Sequence, residues 1–170
     1  MRQNPEVTVN PVEHISVWTE KPFAVVVRGV EAATGVFDSA QIQTQVAEGA
    51  SPTVIRDAIN AMAGGSGFMR FAMWDHGFLL RQMGQQSEAV RFVIGHPLIA
   101  TRMTRRNIGA GLYAPLSLLV VGGERGGTRL EYDRPSTLLK PFDDADIASV
   151  GLELDEKLSA LVQSVAGVCV

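Results

Sequence analysis

The chain has 170 residues, of which 46% are hydrophobic and 19% charged, and its formal net charge is -3 at pH 7. This length and composition predict one folded domain and exclude a chain too polar to bury a core. The negative charge disfavours a nucleic-acid partner, because no broad positive field is present to hold a phosphate backbone.

The cysteine count and the apolar runs indicate a cytoplasmic protein. Cys169 is the only cysteine, so neither an intrachain disulfide nor a zinc motif can be built from it. Residues Met1–Pro11 contain Asn, Pro and Glu where a secretory leader needs an apolar run. The longest apolar run, Leu116–Val121, is far shorter than the roughly 20 residues that cross a membrane. We therefore expect no membrane association.

In the first third of the chain, helices predominate. Residues 1–12 are predicted to form an N-terminal arm ahead of a single domain at 13–170. Three consecutive valines near residue 25 favour a strand, but the apolar residues also share one helical face, and we favour the helix. The predicted elements are a strand at Ile15–Thr19, a helix from Phe23 to Val30, a weaker helix between Asp38 and Gly49, and a helix that begins after Ser51 and ends before Gly64.

The remainder of the chain mixes strands and helices without the regular alternation of a parallel sheet. The predicted strands are Phe68–Trp74, Phe78–Arg81 as its neighbour, Val90–Ile94, Pro115–Val121 and, after a glycine-rich hairpin, Thr128–Tyr132. Helices are predicted at Pro97–Arg106 and Asp144–Ala166. The fold class is therefore α+β, with a mainly antiparallel sheet, helices packed chiefly on one face and a long C-terminal helix.

Four ordered blocks of the sequence carry a family resemblance: Arg70–Gly77, Val93–Ile99, Ala110–Leu116 and Tyr132–Pro135. They resemble the bacterial and archaeal family called domain of unknown function 302. The resemblance implies an α+β fold similar to that of the TATA-box-binding protein and a tendency to form homodimers, and it implies no established reaction. The chain departs from the family pattern at His96, where Asn is more usual.

The catalytic candidates are Asp75 and His76, which follow a predicted strand and precede Gly77. A carboxylate near an imidazole can raise its basicity and fix its tautomer, which suits general acid-base chemistry. Adjacent side chains point apart on a strand, however, so a turn fixed by Asp75 and packed by His76 is the stronger alternative.

Gly95 and His96 lead from a strand into a helix, where the first amide groups lack partners inside the helix. Such a junction can bind a small anion, or it can simply start the helix. His76 and His96, with Asp75 or Asp133, would provide donors for zinc or iron. Because their separation lacks the spacing of a metal motif, we predict no metal site, and the sequence specifies no cofactor.

Tyr132, Asp133 and Arg134 end a predicted strand before Pro135. Arg134 and Tyr132 could hold a carboxylate ligand at a polar rim, or Asp133 could cap a turn with Arg134 tied back to the fold. Tyr113 could belong to the same rim or to the core.

Three hypotheses follow, and all assume that these strand ends share one rim. The first is a cytoplasmic, homodimeric domain that binds a small ligand, such as an anion, or a protein partner without catalysis. The second is a small-molecule enzyme in which His76 and Asp75 exchange protons and Arg134 holds an anionic substrate. The third is a structural module that associates with itself.

Overall fold

The structure, a computed structural model, describes residues 7–123 and 126–168. Cys169 and the first six residues of the predicted arm therefore lie outside the described residues. The rest of the arm has no regular secondary structure. It contacts the domain where the Asn10 amide donates a hydrogen bond to the carbonyl of Thr137, at 2.8 Å.

Six strands form one sheet in the order β1-β6-β5-β4-β3-β2. They are β1 (His14–Thr19), β2 (Gly35–Val36), β3 (Met69–Asp75), β4 (Ala89–Gly95), β5 (Leu116–Gly122) and β6 (Thr128–Asp133). Every neighbouring pair is antiparallel except β2 and β3, which are parallel. The predicted mainly antiparallel sheet is therefore confirmed.

The helices are α1 (Phe23–Ala33), α2 (Ser39–Ala47), α3 (Pro52–Ala61), α4 (His76–Gln82), α5 (Pro97–Thr104), α6 (Pro135–Leu139) and α7 (Ala145–Ala166), with short 3-10 helices at Ile108–Tyr113 and Lys140–Phe142. Of the seven α-helices in the described residues, five, α1, α2, α3, α5 and α7, lie close to predicted positions, whereas α4 and α6 were not predicted. Within the described ranges, no helix combines the length and apolar character needed to traverse a lipid bilayer.

Helix α7 is the long C-terminal helix that the sequence predicts. Asp144 caps it, because its carboxylate accepts hydrogen bonds from the amides of Asp146 and Ile147. Gly167 ends it in the left-handed region, at φ 73°. Its apolar seam is buried along the whole length: Ile147, Val150, Leu154, Leu158, Leu161 and Val165.

Alternation along the strands gives the sheet two different faces. On the covered face, Phe92, Leu118 and Leu130 are fully buried in a core shared with α1 and α7. The opposite side, which we call the open face, carries the alternate residues of the same strands. Its members include His14, Ser16, Trp18, Trp74, Ala89, Arg91, Val93, Ser117, Leu119, Val121, Arg129, Glu131 and Asp133.

The prediction that Phe78–Arg81 is a strand is wrong. This segment lies in α4, which starts at once after β3 because Asp75 caps it. The Asp75 carboxylate accepts a hydrogen bond from the amide of Phe78 at 2.9 Å, which fixes the first turn of the helix. The neighbours of β3 are β4 on one side and β2 on the other.

Candidate functional site

The predicted site residues do not share one rim. The open face carries His76 and Asp133. Tyr132 borders the same part of the open face, as well as a pocket beside α7 that it shares with Arg134. Gly95 and His96 line a third, apolar cavity. The second hypothesis requires His76 and Arg134 to open on a common pocket, and this geometry does not provide one.

Asp75 has partners other than His76. Its carboxylate caps α4 and also accepts a hydrogen bond from the Arg81 guanidinium at 2.6 Å. Arg81 is the main reason that the pKa of Asp75 lies below its usual value. His76 borders a shallow groove on the open face together with Arg91 and Ser117. In the described ranges, no hydrogen bond joins Asp75 to His76.

Tyr132 and Arg134 border a pocket of about 310 Å³ with Asp155 and Ser159 of α7. Burial is the main cause that raises the pKa of the Tyr132 phenol. The guanidinium of Arg134 lies 3.1 Å from the carboxylate of Glu13, so the arginine is tied back to the fold. That arrangement matches the structural alternative for Arg134.

Asp133 and Tyr113 also have structural partners. The Asp133 carboxylate lies 2.8 Å from Nδ1 of His14, its cross-strand neighbour, and does not cap α6. This contact is the main cause that raises the pKa of His14. Tyr113 packs edge to face on Phe142, with ring centroids 5.9 Å apart, at the border of the core.

The apolar cavity lies where β4 ends and α5 begins. It encloses about 280 Å³, close to the lower end of the range for small-molecule sites. Its lining is Phe37, Phe71, Gly95, His96, Pro97, Ile99, Ala100, Met103, Ala114, Pro115, Leu116 and Leu154. His96 is thus the single residue with a titratable side chain in the lining of this cavity.

His96 is the one polar side chain among the residues that line this cavity. Its Nδ1 is buried and has no hydrogen-bond partner in the described part of the chain. Burial, and then the positive charge of Lys157, lower the pKa of the imidazole, so the neutral ring is favoured near pH 7.

The amides at the start of α5 are a poor anion site. Pro97 has no amide hydrogen, and the amides of Ile99 and Ala100 both bond to the carbonyl of His96 at 3.0 Å. The junction therefore initiates the helix mainly with its own backbone. In this region the candidate binding site is therefore the cavity lined by His96, not the backbone amides.

The open face contains a feature that the sequence analysis missed. Two tryptophans are exposed there, Trp18 at 61% and Trp74 at 50%. Each is covered by the guanidinium of its cross-strand neighbour, Arg129 at 5.0 Å and Arg91 at 5.3 Å from the ring centroid. The outward position of Trp18 in the predicted first strand was the signal that could have identified it.

Metal ligands do not converge in the described ranges. No group of three His, Cys, Asp or Glu side chains is placed there to hold a metal ion. His76 and His96 line different pockets.

Comparison with known proteins gives a family but no activity. A family model described as domain of unknown function DUF302 matches residues 42–165. The chain is also similar to the crystal structure of an uncharacterized conserved DUF302 protein from Bacillus stearothermophilus, with a TM-score of 0.61 and 16% identity over 89% of this chain and 96% of that chain. At this identity the likeness shows the fold alone. No curated protein matches the sequence.

Proposed function

The chain belongs to the DUF302 family, and from this premise we propose that it binds a small, largely apolar molecule in the cavity beside His96. The observation that carries the proposal is a preformed cavity of about 280 Å³ whose lining is apolar except for His96. Ligand sites commonly combine apolar walls with a few placed polar groups, and this cavity has that composition. The expected location remains the cytoplasm, as the sequence predicts.

The cavity favours binding over catalysis. Acid-base catalysis usually needs a second group that orients the base or holds the substrate, and His96 is the lone reactive side chain among the lining residues. A ligand that fills the cavity gains mainly from apolar burial, at about 25 cal/mol per Å² of apolar surface removed from water.

An NMR titration tests the proposal. Methyl-labelled protein is titrated with benzyl alcohol, phenol and cyclohexanol, and we expect shifts at the methyl groups of Ile99, Met103 and Leu116. Val46, exposed on α2, is the internal control and should not move. If none of the three compounds perturbs the cavity methyl groups, the proposal is wrong.

A blocking variant locates the site. Ala100→Phe adds a ring to a residue that lines the cavity, and we expect it to abolish the titration. Ala160→Phe makes the same change at an exposed position of α7 and should bind as the original chain does. A folded Ala100→Phe protein with unchanged affinity would place the binding elsewhere.

The second candidate function is self-association through the open face. Trp and Arg are the side chains that dominate protein interfaces, and the two Trp-Arg pairs flank an apolar centre formed by Leu119 and Val121. A second copy of this chain is the proposed occupant, because the face carries charges of both signs in a self-complementary order.

The order of these charges follows from the strand register. Glu131, Leu119 and Arg91 are successive partners across β6, β5 and β4. A two-fold axis between two facing sheets, parallel to β5, would bring Leu119 of both copies together. It would also bring Glu131 opposite the partner's Arg91, which is the pairing that an isologous dimer needs.

Charge reversal tests this arrangement by light scattering and sedimentation. We expect a dimer for the original chain, and monomers for Arg91→Glu and for Glu131→Arg because like charges would then face each other. The double variant R91E/E131R should restore the dimer. Arg56→Glu, on the exposed side of α3, is the control and should remain dimeric. A monomeric original chain would remove this candidate.

A further inference from the structure

Arg91 lies without a carboxylate partner in the shallow groove on the open face, which we call the open-face groove. This groove has a volume of about 470 Å³, and Arg91 and Ser117 are both among the residues that line it. In the described part of the chain, no carboxylate lies within ion-pair distance of the Arg91 guanidinium. Its charge is therefore available to a molecule that enters the groove.

Two neighbours hold the Arg91 guanidinium in place. Its Nε and Nη2 atoms both donate hydrogen bonds to the hydroxyl oxygen of Ser117, at 3.1 and 2.6 Å. The guanidinium also lies over Trp74, with its carbon 5.3 Å from the ring centroid. Stacking uses the face of a guanidinium and leaves the N–H groups at its edge available for hydrogen bonds in the plane. The group is thus oriented without all its donors being used.

The far edge of the Arg91 guanidinium is accessible. Nη1 has no hydrogen-bond partner in the described part of the chain and is not a buried atom. Ser117 occupies the side formed by Nε and Nη2, so the side formed by Nη1 and the second N–H of Nη2 is open. Two parallel donors of this kind bind both oxygens of one carboxylate. One such pair of donors, which we call the free fork, therefore faces the groove.

The two carboxylates that line the same groove have partners of their own. Glu131 lies 2.8 Å from Nε of Arg129, and Asp133 lies 2.8 Å from Nδ1 of His14. Both carboxylates are on β6, which β5 separates from Arg91 on β4. Two strand spacings place their backbones about 10 Å from that of Arg91. An anion at the free fork therefore meets a cation whose charge no nearby acid cancels.

We propose that the open-face groove binds a carboxylate through the free fork of Arg91, with the rest of the ligand on Leu119 and Ala89. Leu119 is the cross-strand partner of Arg91, and Ala89 is two residues away on the same face, so both lie beside the fork. This small apolar floor suits a short aliphatic carboxylic acid. The site shares no lining residue with the apolar cavity, so it is a second site.

The carboxylate site also gives the proposed self-association a regulator. In the two-fold arrangement, the partner's Glu131 faces Arg91, so its carboxylate uses the same free fork. A carboxylic acid bound at the fork excludes that contact and favours the monomer. This regulatory consequence rests on the proposed self-association, whereas the site itself does not.

A matched pair of ligands tests the site. Butyrate and butyramide have nearly the same shape and differ in charge. Each is titrated at pH 7 while NMR follows the methyl groups of Leu119 and Ala89 and the Nε–H resonance of Arg91. We expect butyrate to bind about tenfold more tightly, the difference between a charge-assisted and a neutral hydrogen bond. Equal affinities, no shift from either compound, or shifts confined to Ile99 and Met103 of the apolar cavity would overturn the inference.

Substitution of the arginine gives a second readout, followed at the Leu119 methyl groups. Arg91→Gln removes the charge and the fork, so the preference for butyrate should disappear. Arg91→Lys keeps the charge but has no planar fork and should lose most of the preference. Arg56→Gln, at an exposed position of α3, is the control and should bind as the original chain does. A folded Arg91→Gln protein that retains the tenfold preference would show that Arg91 does not hold the carboxylate.

Sedimentation in the presence of the same compounds tests the regulation. The two-fold dimer contains two contacts between Arg91 and Glu131, and both must open. The apparent Kd of the dimer should therefore rise about fourfold when butyrate is present at its own Kd. Butyramide should have no effect, and sodium chloride at equal ionic strength sets the level of simple screening. An effect of butyrate no larger than that of sodium chloride would overturn the regulation, and a chain that is monomeric throughout would remove it together with the self-association; in both cases the titration still decides the site.

Discussion

The two faces of the sheet are formed by the same strands but differ in composition and surroundings. On the covered face, Phe92 and Leu118 are fully buried beneath helices. One residue away, Arg91 and Leu119 face outward on the open face. Successive residues of a strand therefore differ in role: one packs in the core, and the next faces solvent or a binding partner.

The open face is not an ordinary solvated surface. Antiparallel sheets with one side in water usually show polar residues on that side. Here Trp18 and Trp74 are exposed, and each is stacked with an arginine. The comparison indicates that the covered face supplies stability, whereas the open face contributes little to the folding of one chain and is available for association.

The largest expected effect is loss of a core side chain. Phe92→Ala removes a ring that is 0% exposed, and we expect the free energy of unfolding to fall by about 3–5 kcal/mol. Trp74→Ala, on the open face, should cost less than about 1 kcal/mol. Urea unfolding measures both, at a protein concentration at which light scattering shows a monomer. Equal losses would show that the two faces contribute equally to stability.

A smaller effect is expected where the helical layer is closely fitted. A Cβ atom on Gly151 of α7 would lie 2.9 Å from Cα of Ser136 in α6. Gly151→Ala gains about 1 kcal/mol in helix propensity, but the backbone contact should cost about 1–3 kcal/mol. We expect a net loss of about 1–2 kcal/mol in unfolding free energy.

Gly65→Ala is the matched control for this helical contact. A Cβ atom at Gly65 would meet nothing within 4 Å, so urea unfolding should show little change. A Gly151→Ala variant as stable as this control would mean that the contact between α7 and α6 tolerates the extra volume.

Most of the fold could be predicted from the sequence because its periodicities are strong. The seam from Ile147 to Val165 repeats at helical spacing, and Val90, Phe92 and Ile94 alternate as a strand requires. Helix α4 was missed because its short apolar run, Phe78 to Leu80, has no clear period. The capping residue Asp75 was the better signal.

The prediction that the site residues meet at one rim of the sheet was wrong for a geometric reason. Antiparallel neighbours run in opposite directions, so β3 ends at Asp75 beside Val90, the start of β4, whereas Gly95 ends β4 beside Met69. Asp75 and Gly95 therefore lie at opposite ends of the sheet. The sequence did not indicate the apolar cavity, because the residues that line it come from distant parts of the chain, among them Phe37, Phe71 and Leu154.

The smallest expected effect concerns the edge of the open face, where His14 on β1 meets Asp133 on β6. Asp133 raises the pKa of His14, so the folded state binds a proton more tightly than the unfolded state. The resulting stabilisation is fully present below the unfolded pKa of about 6.5 and is lost as pH rises through the raised folded pKa. Glu131, 3.8 Å from the ring, acts in the same direction.

His14→Gln removes this titration and isolates its contribution. Both partners are about half exposed, so we expect the original chain to exceed the variant by less than about 1 kcal/mol at pH 5.5 and by almost nothing at pH 9. Urea unfolding at the two pH values gives the unfolding free energy of both proteins. Groups that titrate alike in both proteins cancel when the two free energies are subtracted. A difference that grows with pH would mean that His14 is stabilised in its neutral form.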